Sequence, residues 1–222
     1  MNQDYFFPIQ LSLVVAFAAA LAAFITGVIL GKVFSVQSFK GKILLETVLM
    51  LPLVLPPSVI GFLLILMFGA KSPIGQLIEA FTGSTILFTP LAAMIAASVV
   101  AFPLMFQSAK AGFTAVDKDI EGAAKVDGAS TWAVLVKISI PLASKSLIAG
   151  GVLSFTRALG EFGATLMFAG NLPGKTQTIP TMIYIAVESG NTKLAFSYVL
   201  FSITLAFILL GLIQIINKRN DL

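Results

Sequence analysis

The sequence predicts an all-α integral membrane bundle, and three observations carry that prediction. Of 222 residues, 58% are hydrophobic and 11% are charged, where a soluble domain carries about 25% charge. The mean hydropathy is +1.00. Four uncharged apolar runs, 9–30, 47–68, 86–106 and 194–216, are each long enough to cross about 30 Å of hydrocarbon. A fifth run, 146–168, is interrupted by Arg157 and Glu161. A chain of this kind builds spanning helices rather than a globular core, so one transmembrane domain over 1–222 is expected, with no soluble domain before or after it. There is no Cys and no His, which excludes disulfides, thiolate metal sites, Cys or His catalysis and imidazole proton relays. Neither a catalytic group nor a metal site is expected in this chain.

The first run follows Met1-Asn2-Gln3-Asp4, which has an acid and no basic residue, and it is too long for a signal-peptide core. It stays as a span. Gly27-x-x-x-Gly31 within it is a small-residue packing pattern. The second run carries Pro52, Pro56 and Pro57, each removing a backbone donor in lipid, so a kinked or locally unwound helix is expected, either facing lipid or lining a pathway. The third run is followed by the longest polar segment, 107–145. Between the fourth and fifth runs, 179–187 is too short to span and reads as a short outer-face or re-entrant segment.

Five spans put the termini on opposite sides. With the N-terminus outside, the inner segments hold Lys32, Lys40, Lys42, Lys110, Lys118, Lys125, Lys137, Lys145, Lys218 and Arg219, against Lys71, Lys175 and Lys193 outside. Positive residues favour the inner side, so the orientation is N-out, C-in, and the net charge of +4 reflects topology rather than nucleic-acid binding.

That orientation places 107–145 inside, facing a partner. Thr114-x-x-Asp117 offers a capping box, and acids precede Lys125 as a helix dipole prefers. Gly128 then supplies a stop, and Trp132, Val134, Leu135 and Ile138 form the apolar surface of a second amphipathic helix before Pro141. The run Glu121-x-Ala123-Ala124-x-x-x-Gly128, followed by Ile138-x-Ile140-Pro141, resembles the EAA loop of binding-protein-dependent ABC importer permeases of the type I fold. In that family the loop forms a coupling helix that docks on a separate ATP-hydrolysing subunit. The resemblance implies that Glu121, Gly122, Ala123, Ala124, Gly128 and Ala129 make that contact. Two departures stand: Gly122 occupies the position where the general pattern has Glu, and Ile140 replaces the usual Leu.

A second resemblance concerns the cargo. The run 157–165, Arg-Ala-Leu-Gly-Glu-Phe-Gly-Ala-Thr, is similar to the corresponding span of permeases for molybdate, tungstate and sulfate. The run Asn171-x-Pro173-Gly174-x-Thr176-x-Thr178-Ile179-Pro180 resembles the molybdate branch. What the resemblance implies is import of molybdate across the cytoplasmic membrane, with tungstate or sulfate as the alternative cargo. It further implies a second copy of this chain, two ATP-binding cassette subunits that use ATP and Mg, and an extracytoplasmic oxyanion-binding protein. No cofactor is expected on this chain itself.

The residues admit further readings. Arg157 and Glu161 are i, i+4 and can pair on one helix face, either as a pathway or gate element together with Gly160 and Gly163, or as a structural ion pair. Gly150, Gly151, Gly160 and Gly163 suit either tight packing or a helix that shifts. The run 170–176 imitates a phosphate-binding loop, but it has three residues before Gly-Lys-Thr where the motif needs four, and it lies outside. Nucleotide binding there is rejected. An ion-coupled secondary transporter is the rival reading; it needs intramembrane ionisable groups beyond one mutually paired Arg and Glu, and it leaves the inner loop unexplained. A membrane scaffold would need small-residue packing and no polar pathway, and the EAA-like loop argues against it.

Overall fold

A computed structural model describes the backbone of residues 5–218 and the side chains of residues 5–211. The positions 1–4 and 219–222, including Arg219 of the charge count, lie outside the described residues, as does the side chain of Lys218. All regular structure among the described residues is helical: α1 Phe6–Val36, α2 Lys42–Val54, α3 Pro57–Phe68, α4 Pro73–Thr82, α5 Pro90–Thr114, α6 Lys118–Val126, α7 Thr131–Val134, a π-helical turn Leu135–Ser139, α8 Ile140–Leu159, α9 Gly163–Ala169, α10 Ile179–Glu188 and α11 Thr192–Lys218.

By length and composition four helical stretches can cross a membrane, and a fifth can if the bent pair α2 and α3 counts as one span. At about 1.5 Å per residue, the 31-residue α1 is longer than the hydrocarbon it would cross, so it carries Lys32 and Ser35 beyond its apolar stretch.

α1, α5 and α8 pack together as the core. Their contact is built from small residues, among them Ala16, Ala19 and Ala23 of α1 and Ala92, Ala93, Ala96, Ala97 and Ala101 of α5. In lipid, helices gain nothing from excluding tails alone, so close backbone approach and van der Waals contact must hold them. The two glycines of the predicted packing pattern show how close: a Cβ added at Gly27 would lie 2.7 Å from Met105 Cγ, and one at Gly31 would lie 2.6 Å from Ala109 Cβ. Gly150 approaches Ser108 in the same manner.

The second run is interrupted at its prolines as expected: it is two helices meeting at 116°, because Pro56 and Pro57 in sequence deny the chain two consecutive amide donors. Three local expectations are corrected. The fourth run does not continue to 168; α8 ends at Leu159, and α9 restarts at Gly163. Arg157 and Glu161 therefore do not share one helix. Finally, Thr114 is no cap: α5 runs through it, with its hydroxyl donating to the Lys110 carbonyl, and Asp117 caps α6 by accepting from the Asp119 amide. Helix α4, capped by Ser72 and ended by left-handed Gly83, was not anticipated, whereas α10 falls on the predicted short segment.

Candidate functional site

One end of the bundle places α6 against the core through one polar joint. Lys32, at the end of α1, donates to Glu121 Oε1 at 2.7 Å and to Ser139 Oγ at 3.2 Å, and the Ser139 hydroxyl donates to the same Glu121 oxygen at 2.5 Å. The Lys32 ammonium also stands 5.2 Å from the centre of the Phe113 ring. Three elements distant in sequence thus meet at one carboxylate. Burial raises the proton affinity of Glu121, but the bonds from Lys32 and Ser139 and the nearby charges of Lys32 and Lys125 outweigh it, holding the carboxyl below the ordinary glutamate range.

Ser139 reaches this point because the chain widens locally. Pro141 has no amide donor, and its ring crowds the carbonyl four residues earlier; a π-helical turn over Leu135–Ser139 absorbs the mismatch, with the Ile140 amide bonded to the Leu135 carbonyl. Ser139 ends fully buried.

α6 is terminated as its sequence foretold. Gly128 takes φ +87, its amide bonds to the Lys125 carbonyl, and the Ala129 amide bonds to the Ala124 carbonyl, forming a Schellman turn. A Cβ at Gly128 would meet no atom within 4 Å, so only the backbone conformation demands glycine there.

Of the residues predicted to contact an ATPase, Gly122, Ala123 and Gly128 are exposed, Ala124 and Ala129 are half-buried, and Glu121 directs its carboxylate into the chain. The outward face carries apolar groups instead: Ile120 is 47% exposed, Val126 88% and Trp132 72%. Exposed apolar groups on a capped helix beyond the apolar spans mark an interaction surface. Lys32 and Ser139 were missed as functional residues. A lone Lys closing an apolar run was the available signal for the first, and the second had none.

The other predicted cluster lies where α8 and α9 break. Arg157 Nη1 is 2.7 Å from Glu161 Oε2, and Glu161 Oε1 accepts from the Ala164 amide at 2.8 Å. The Glu161 side chain is 1% exposed and that of Arg157 31%. Glu161 is therefore a fixed group holding the start of α9, and Arg157 is the member with access to space. This break abuts the break between α2 and α3: a Cβ on Gly163 would lie 2.9 Å from Pro57 Cβ, and one on Gly61 would lie 2.6 Å from Met167 Cβ and 3.1 Å from Ala164. Gly160 meets only its own helix. Two discontinuous helices thus touch beside the charged pair, an arrangement that lets two segments shift without stretching continuous helix.

The loop 170–178 turns through left-handed Gly170 and Gly174, with the Thr176 hydroxyl accepting from the Leu172 amide. Thr176 is buried and engaged in holding the loop. The hydroxyl that a phosphate-binding loop would present is occupied.

Comparison with known proteins gives consistent relationships. The family model described as binding-protein-dependent transport system inner membrane component matches residues 5–221. The chain is 55% identical over 211 residues to YvgM of Bacillus subtilis (strain 168), a permease protein named for a molybdenum transport system, with 95% of this chain and 93% of the relative covered. It is 40% identical over 201 residues to the molybdenum transport system permease protein ModB of Escherichia coli (strain K12), covering 90% and 88%. A Chlorella vulgaris permease protein named for sulfate transport is 36% identical over 178 residues, covering 80% and 66%. Among solved structures, a bacterial alginate ABC transporter in complex with its alginate-bound periplasmic protein superposes with a TM-score of 0.77 at 15% identity, covering 99% and 80%. The inward-facing methionine transporter MetNI gives 0.69 at 14% identity, covering 95% and 94%. At those identities the likeness is one of fold.

Proposed function

Since the chain belongs to the family of binding-protein-dependent transport system inner membrane components, we propose that it is the permease subunit of an ATP-driven importer that carries molybdate across the cytoplasmic membrane. The observation that carries the cargo is the 55% identity, over 95% of this chain, to a permease named for molybdenum transport. In this reading residues 1–222 form one permease domain of five spans with the N-terminus outside and the C-terminus inside, the bent pair α2 and α3 counting as one span.

The partners follow from what the chain leaves uncovered. α2 buries no residue in the isolated chain, which supports a second copy closing the pathway against it. Ile120, Ala123, Val126 and Trp132 form the knob that docks on a separate ATP-binding cassette subunit, where ATP and Mg are used; the permease itself catalyses nothing. An extracytoplasmic oxyanion-binding protein delivers cargo at the outer face.

Coupling then runs through the inner joint. ATP binding draws the two cassette subunits together, and each displaces its docked α6. Because Glu121 ties α6 to both Lys32 and Ser139, the displacement passes to α1 and α8 rather than being lost in a loose loop. α8 ends at the break beside α3 and α9, so its movement reaches Arg157 and Glu161. Gly160 and Gly163 give that junction room, and Arg157 offers a favourable potential to a divalent oxyanion while Glu161 keeps it from becoming a trap. The two copies alternate between outward and inward access.

The test is uptake into proteoliposomes containing this chain and its ATPase, with binding protein added and molybdate, tungstate and sulfate compared as competitors. Molybdate uptake that ignores excess sulfate supports the reading. Preference for sulfate would move the chain to the branch represented by its sulfate-named relative, and uptake that needs no ATPase would restore a secondary transporter.

A further inference from the structure

A cleft of about 280 Å³ lies between the inner ends of α1 and α5 and the body-facing side of α6. Lys118, Glu121, Gly122 and Lys125 follow one another at i, i+3, i+4 and i+7, so a single face of α6 carries two lysines into it. Lys32 joins them, and Val36, Phe113 and Val116 supply an apolar floor. Three lysines against one carboxylate leave an excess of two positive charges. The Lys32 charge is matched by Glu121, while Lys118 and Lys125 make no ion pair among the described residues. Gly122 adds no side chain, and a Cβ there would meet nothing within 4 Å, so the space between the two lysines stays open.

We propose that this cleft is a binding site for a phosphate-type oxyanion group, with Lys118 and Lys125 as its cationic ligands. The group comes either from an anionic phospholipid or from a free tetrahedral anion. The apolar floor and the position at the ends of two spans favour the phospholipid, whose phosphodiester lies at that level with its glycerol against Phe113 and Val116. The coupling helix is thereby anchored to the inner leaflet on one side while its opposite face, with Ile120, Ala123 and Val126, stays free for the ATPase. This rests on the inner-side placement of α6 given above. The test reads binding rather than uptake, so failure of transport and failure of the site remain distinguishable.

The full chain is placed in nanodiscs of phosphatidylcholine with a minor share of phosphatidylglycerol, and the lipids it retains are counted by native mass spectrometry. The wild type should retain phosphatidylglycerol preferentially. Lys118→Gln with Lys125→Gln should remove that preference, by about fivefold per lysine and so about 25-fold together; Lys137→Gln, on an exposed lysine outside the cleft, should leave it unchanged. In a second arm, phosphate and molybdate are titrated into phosphatidylcholine nanodiscs while the emission of Trp132, the single tryptophan, is followed. A response in the wild type that the double variant lacks assigns the site to the free anion. Equal lipid retention with no anion response in either protein overturns the proposal. So does a double variant that keeps its lipid preference but loses affinity for the ATPase subunit, since the lysines would then serve the protein partner.

Discussion

Two glutamates, 40 residues apart in sequence (121 and 161), do the same local work in different surroundings. Each accepts from a cation on one helix and from a second donor on another element: Glu121 from Lys32 and Ser139, Glu161 from Arg157 and the Ala164 amide. Each sits at the start of a short helix. The Glu121 side chain is 16% exposed at one end of the bundle, whereas that of Glu161 is 1% exposed among the apolar helices. The difference teaches where the chain can afford to let a joint open: water can replace a lost partner at Glu121, and nothing replaces one at Glu161.

The sharpest way to break the comparison is Glu161→Ala. It leaves Arg157 without its counter-ion and the Ala164 amide without an acceptor, so a loss of about 3–5 kcal/mol is expected, read as a large fall in melting temperature in detergent. A melt like that of the wild type would mean that lipid or water already satisfies Arg157. Arg157→Ala should cost nearly as much, again about 3–5 kcal/mol, because the buried Glu161 carboxylate is left without its counter-ion and keeps only its amide bond. Its uptake rate then separates the two roles: lowered uptake at retained stability places Arg157 on the pathway, and lowered stability alone makes it structural. Next comes Gly128→Asp, which forces a side chain into φ +87 at about 1–2 kcal/mol. Membrane insertion should survive while ATP hydrolysis uncouples from transport. Normal transport by that variant would remove Gly128 from coupling.

The comparison also marks what could be read in advance. Gly128, Arg157 and Glu161 were legible, because charges inside an apolar run and a Gly after a short polar helix are local signals, whereas Glu121 was singled out by the resemblance of its loop and as a contact residue rather than as a partner of Lys32. Their partners across the fold were less so: Lys32 lies 89 residues from Glu121, and pattern within one sequence does not encode such pairings. The break at 160–162 was misread as continuous helix because Arg157 and Glu161 suit an i, i+4 pair. What ends the helix is tertiary, with Glu161 turned to cap α9 and Gly163 pressed on Pro57. Three prolines announced the second break without giving its angle. The Ser72-Pro73 start and Gly83 end of α4 were local signals too, but Gln76 and Glu79 break up the apolar residues between them, so no continuous run marks the helix.

The smallest effect isolates the joint at Glu121. Glu121→Gln keeps the shape and one acceptor but removes the charge that holds Lys32, so about 1 kcal/mol of stability should go, with a lower ratio of molybdate moved to ATP hydrolysed. pH provides the internal control. The folded-state affinity of Glu121 for a proton is lowered, so its contribution is complete above the ordinary glutamate value of about 4.3 and is lost as pH falls through the lower folded value. Between pH 8 and 5 the difference in stability between wild type and Glu121→Gln should therefore stay constant, and it should close only in stronger acid. A difference that already narrows between pH 8 and 5 would mean that another group titrates at this joint, and that the link from α6 to α1 and α8 does not depend on the Glu121 charge.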